Sequence, residues 1–210
     1  ALVRDNFRCM VTGKVDWKAA QKKLASRASG EDYTTTQCCY IFPDSLAGKE
    51  LCKEYEAASV WTILKQFGCE DIHAELGSAT EGANLHRLEN ILTLDVFIYK
   101  LFDDLSLWFE AVEGKLNVYN VILLPGADRP PSIPETVQFV SHRPGLPLPN
   151  PRYLKLHAAC CRIAHMSGAA EYLELIYRDV EELPVLANNG ASADVLTFAV
   201  HRRLTAVDPM

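Results

Sequence analysis

Two hundred and ten residues are enough for one sizeable core, or for a small core carrying an appended subdomain. With 49% apolar and 23% charged residues the composition is that of an ordinary globular chain, and its apolar runs fall far short of the ~20 residues that span a bilayer. A net charge of −6 without a dense Lys/Arg run argues against duplex nucleic acid, because phosphate contacts supply most of the affinity of such complexes.

In chain order, residues 1–16 read as an extended entry closed by a turn at Thr12-Gly13. Residues 17–27, rich in Ala and Lys, predict a helix, and residues 33–42, β-branched and aromatic, predict a strand that Pro43 stops. Apolar residues recur at helical spacing over 47–67, and Gly68, Gly77 and Gly82 punctuate the loop-rich stretch that follows. Residues 90–95 fit a strand or an extended loop and lead into a helix over 96–107. Strands are expected at 118–124 and 136–141, on either side of a loop with four prolines between 125 and 134. Four prolines in residues 144–151 make a stiff connector. Residues 153–182 then read as mostly helical, with a break at Ser167-Gly168, and a short helix is expected over 191–203.

These elements predict an α+β protein whose core region spans 1–124. The strand, the connector and a C-terminal helical extension over 125–210 are expected to pack on it as one compact domain. No charged-then-apolar leader is visible, so no signal peptide is expected. Seven cysteines, adjacent at 38–39 and 160–161 and nowhere spaced as CxxC, read as reduced thiols in a cytoplasmic protein and make a zinc ribbon unfavourable.

Three separated segments carry a resemblance. The first is Arg4-Asp5-Asn6-Phe7-Arg8-Cys9-Met10-Val11-Thr12-Gly13, the second Cys39-Tyr40-Ile41-Phe42-Pro43, and the third runs from Asn90-Ile91-Leu92-Thr93-Leu94 to Tyr99-Lys100-Leu101-Phe102-Asp103. In order and spacing they resemble the HNH endonuclease domains common in fungal genomes, whose patterns read R-D-x-x-x-C-x-x-T-G, then H-I-x-P, then N-G-L-x-L followed by H-x-L-F-D. Residues 156–169 look like the helical extension of those proteins, so the likeness covers most of the chain.

The resemblance implies a ββα core. A His would act there as general base, an Asn would orient it, and a second His with a nearby acid would hold a divalent metal. By position Tyr40 takes the base slot, Asn90 the orienting slot and Tyr99 the metal slot, with Asp103 one helical turn further on. A phenol of pKa ~10 is a poor base and a poor ligand near neutrality, so metal-dependent cleavage of nucleic acid is not expected and no metal or other cofactor is assigned.

Tyr40 and Tyr99 then read either as core fillers of a decayed site or as donors in a rebuilt, metal-free pocket. Asn90 reads as a turn residue or as part of that pocket. His86, in the glycine-rich loop, is the best remaining candidate for a general base, and His73 is weaker. Cys39 and Phe42 are assigned to substrate binding, although a strand cysteine is more often buried and inert. His157 and His165 share one helix face without a third ligand, and Cys160 and Cys161 read as core.

The expectation is a metal-independent acid–base enzyme of the cyclase or isomerase type, acting on a small organic molecule of the secondary-metabolite kind, with no membrane partner. The alternative is an inactive HNH-like module that binds DNA or protein through Lys14, Lys18, Lys22, Lys23 and Arg27. A nuclease with Cys39, His86 and Asp103 as substitute ligands ranks last.

Overall fold

The computed structural model describes residues 1–26, 28, 30–43, 62, 64–66, 69–76 and 83–168. Contacts group Ala1–Cys161 as one unit and Arg162–Met210 as another. In the second unit the described residues are the end of one helix and the turn after it.

The protein mixes helices with small sheets, an α+β arrangement. The elements are β1 (Val15–Asp16), α1 (Trp17–Gln21), β2 (Tyr33–Thr34), β3 (Thr36–Tyr40), α2 (Glu70–Leu76), β4 (Ile91–Asp95), α3 (Val96–Asp103), β5 (Leu107–Ala111), β6 (Val118–Leu123), β7 (Thr136–Gln138) and α4 (Pro151–Met166). Short 3-10 turns, Ala83–His86 and Leu88–Asn90, precede β4. Among the described residues no helix is long and apolar enough to cross a membrane.

Three small sheets result. β1 pairs with β2 in parallel, and β3 pairs antiparallel with β4 in a register that sets Tyr40 opposite Ile91 and Thr36 opposite Asp95. β5, β6 and β7 form an antiparallel meander. Every residue of β4 is buried, Thr93 and Asp95 included, so the strand lacks the alternation of a half-solvated one. α3 follows β4 at once: the Asp95 carboxylate caps it, accepting from Ile98 N at 2.9 Å, and Ile98 and Phe102 face the core. A central cluster holds Leu92, Leu94, Ile98 and Phe102 together with Leu107, Phe109, Tyr119 and Phe139 of the meander.

Several sequence expectations need correction. The N-terminal entry is a series of tight turns, with Asn6 at φ 51° and Phe7 at φ 57°, because Arg4 turns inward. α1 stops at Gln21 rather than continuing to residue 27, since Lys23 takes a left-handed backbone at φ 56°. α3 ends at Asp103, before residue 107, because Leu105 at φ 60° redirects the chain. Residues 107–111 are then a strand with β6 as partner, so that Leu107, expected to end the helix, begins a strand. The strand expected over 136–141 is three residues long. The break at Ser167-Gly168 falls where α4 ends, with Gly168 at φ 73°. Most of the helix expected over 47–67 lies outside the described residues, as do the remainder of the one over 153–182 and all of the one over 191–203.

Candidate functional site

β3 ends on Tyr40, whose side chain is half-buried, and the 3-10 turn before β4 ends on the exposed His86. The Tyr40 hydroxyl and His86 Nδ1 share a hydrogen bond of 2.8 Å, with the rings edge to face at 5.6 Å. A phenol and an imidazole therefore meet at the surface, forty-six positions apart in sequence.

The two segments are held in place by Asn90, which is wholly buried. Its Oδ1 accepts from Phe42 N at 2.8 Å, while Nδ2 donates to the carbonyls of Phe42 and Leu85, each at 2.9 Å. Asn90 thus joins the exit of β3 to the turn that carries His86. Both amide protons go to backbone, which makes Asn90 a positioning residue.

On the neighbouring side, α3 presents Tyr99 and Asp103 one turn apart, Tyr99 half-buried and Asp103 exposed. Burial, then the charge of Asp103 and the thiol of Cys39, push the Tyr99 phenol above its ordinary range. Cys39 is buried at 2% exposure, and burial, reinforced by Asp103, drives its thiol far upward, so it is held as the neutral thiol rather than a thiolate. Phe42 is a core residue, edge-on to Tyr153 at 5.3 Å, which leaves its ring little surface for a ligand. His73 lies on α2. Among the described residues no three His, Cys, Asp or Glu side chains converge as a set that could hold a metal ion.

The first motif is structural throughout. Arg4 is fully buried and pairs twice with Asp5, at 2.6 and 2.9 Å. It donates further to the carbonyls of Leu88, Ile91 and Pro147. Cys9 Sγ accepts from Thr12 N, the Thr12 hydroxyl donates to Asp95, and Gly13 turns the chain at φ 69°. Asp16 caps α1 through Ala19 N and also accepts from the backbone and hydroxyl of Thr36. Burial alone would raise the Asp16 carboxyl, but these bonds outweigh it and hold the group low. Sequence reasoning passed over Arg4, Asp5, Asp16 and Asp95 as parts of the site's frame. The one available signal was a charged pair inside a motif otherwise made of turn residues.

On α4, His157 lies flat on Phe102 with ring centroids at 3.7 Å and comes within 3.6 Å of Cys161 Sγ. Burial lowers its pKa to about 4, so it is a neutral packing residue near pH 7. Cys161 is buried as expected, whereas Cys160 is exposed. The six cysteines among the described residues form no disulfide.

The class defined by this geometry is an α+β protein with a tyrosine–histidine pair at a sheet-to-turn junction. No family model matches the chain, and no curated protein or solved structure shows a significant similarity to it.

Proposed function

We propose that the chain is a metal-independent acid–base enzyme of the cyclase or isomerase type, built on an HNH-like scaffold and acting on a small organic molecule. The observation that carries the reading is the 2.8 Å bond between the Tyr40 hydroxyl and His86 Nδ1. Histidine is the residue type whose charge changes nearest neutrality, and a phenol is a competent donor to an enolate oxygen.

With its proton on Nδ1, His86 donates to the Tyr40 oxygen, and the Nε2 lone pair takes a proton from a carbon acid. The Tyr40 hydroxyl then serves as donor to the oxygen on which negative charge develops. One proton leaves the substrate, another is returned at a different atom, and solvent exchange restores the pair. Such a cycle needs no water as nucleophile, which suits isomerisation or ring closure better than hydrolysis. Tyr99, with its raised phenol, offers a second neutral donor on the adjoining helix face.

Support for the scaffold comes from the element order. An antiparallel pair, β3 and β4, is followed directly by α3, with Tyr40 ending β3, Asn90 just before β4, and Tyr99 and Asp103 on α3. The metal such a scaffold would carry does not fit these residues. Cys39 is a buried neutral thiol and Tyr99 is a phenol held protonated, which leaves Asp103 and His86, the latter already bonded to Tyr40.

The test is carbon-bound deuterium uptake from D2O into a set of aryl ketones, read by mass spectrometry. Native protein should accelerate exchange, and His86→Ala and Tyr40→Phe should each lose about a hundredfold or more of that acceleration. Equal rates for native protein and both variants would sink the reading. So would magnesium-dependent nicking of plasmid that disappears in Asp103→Ala.

A further inference from the structure

The first turns of α1 and α3 emerge at the same stretch of backbone. Asp16, the cap of α1, accepts from Thr36 N at 3.1 Å and from the Thr36 hydroxyl at 2.8 Å. Asp95, the cap of α3, lies opposite Thr36 in the sheet, and Val96 N donates to Thr35 O at 3.2 Å. The residues just past the two caps therefore leave the fold on either side of Thr35 and Thr36.

Those residues are large, apolar and exposed: Trp17 at 48%, Val96 at 46% and Phe97 at 52%. Tyr33, at 39%, stands edge-on to Trp17 with ring centroids at 5.1 Å. A single exposed apolar side chain is ordinary, but four around one backbone junction mark an interaction surface. Lys14, Lys18, Lys22 and Lys23 flank Trp17 in sequence, four lysines within ten residues of a chain whose net charge is −6, and Lys18, Lys22 and Lys23 are exposed. The acid among them, Asp16, is buried and committed to capping.

We infer that this face docks on an anionic bilayer surface, with Trp17, Tyr33 and Phe97 seated at headgroup level and the lysine ammonium groups on the lipid anions. Rings with one wet edge settle in that layer, and lysine stems lie along apolar surface while their charges reach the headgroups. The charges in this segment are lysines rather than arginines, which suits a diffuse anionic sheet better than the bidentate recognition of single phosphates. A duplex would leave Val96 and Phe97 in water, and protein interfaces are depleted in lysine. The expectation of no membrane partner considered only spanning segments, and a surface contact needs none.

The test uses the full chain with sucrose-loaded vesicles of phosphatidylcholine, with and without phosphatidylserine. Native protein should sediment with the anionic vesicles and not with the neutral ones, and added salt should release it. Lys18→Ala/Lys22→Ala should weaken binding roughly thirtyfold. Trp17→Ala/Phe97→Ala should weaken it too, with circular dichroism and melting unchanged in both. Tryptophan emission should shift to shorter wavelength on binding, and not in Trp17→Ala/Phe97→Ala. No preference for anionic vesicles overturns the inference, as does tighter binding of labelled duplex DNA at the same salt. A dimer in light scattering that Trp17→Ala/Phe97→Ala converts to monomer would assign the face to a second copy and overturn it as well. His86→Ala leaves this readout untouched, so the outcome is separate from that of the proposed chemistry.

Discussion

The turn around Arg4 and the junction around Tyr40 are both built from residues of one sequence pattern, yet they stand in opposite environments. Arg4 has no exposed surface and spends its guanidinium on Asp5 and three carbonyls, whereas His86 lies exposed and bonded to a half-buried phenol. A buried charge whose every bond is satisfied fixes geometry, and a proton-exchanging pair left at the surface is able to react. Exposure, more than residue type, separates frame from site.

Breaking the frame gives the largest effect. Arg4→Met leaves the Asp5 carboxylate buried and unpaired, and it should cost about 4 kcal/mol in urea unfolding, with deuterium exchange lost only as the fold is lost. Asn90→Ala removes three buried bonds and should cost about 3 kcal/mol. It should also lower exchange activity in protein that is still folded, since the turn bearing His86 is no longer tied to β3. Tyr40→Phe should cost under about 1 kcal/mol because its bond is solvent-exposed, while abolishing most activity. A Tyr40→Phe protein as unstable as Asn90→Ala would erase the distinction between the two regions.

Acid sharpens the same contrast. The His157 pKa lies at about 4 in the folded protein, below the ordinary value of 6.5, because burial disfavours the imidazolium. Between those values the unfolded chain holds more protons than the folded one, so stability falls as pH drops from about 6.5 towards 4 and levels off below. The integrated loss is about 3 kcal/mol. Asp16 acts lower: its depressed carboxyl supports the fold above the ordinary carboxylate pKa, and that support disappears only as pH falls through the folded value. Urea midpoints measured from pH 7 to about 2 should show both windows, and His157→Leu should flatten the upper one alone.

Much of the fold was legible where local chemistry decides it. The strand expected over 33–42 is found at 36–40 and ends before Pro43, and the helix expected from residue 96 begins there. What escaped notice depends on partners distant in sequence or on unusual backbone. The strand over 107–111 depends on β6, distant in sequence, to pair with it, and Lys23 and Leu105 end helices at positive φ where glycine would have announced it. For the site, Tyr40 and His86 were both candidates, but nothing in a linear reading pairs residues forty-six apart. Phe42, assigned to substrate binding, proves to be core, in the bend that follows β3.

The smallest effect tests whether that hidden helix end belongs to the frame. Lys23 sits just past the cap of α1, where Leu24 N reaches Ala19 O at 2.9 Å and Lys23 N reaches Ala20 O at 3.0 Å, the paired closing bonds of a Schellman turn. A left-handed residue there costs a lysine about 1 kcal/mol that glycine avoids. Glycine in turn raises the entropy of the unfolded chain, which cancels part of the gain. Lys23→Gly should therefore raise stability by about 0.5 kcal/mol, a shift of a degree or two in melting. It should leave deuterium exchange unchanged, because the strain sits away from the Tyr40 junction. A loss of stability instead would mean that the lysine contributes more at this turn than its backbone costs.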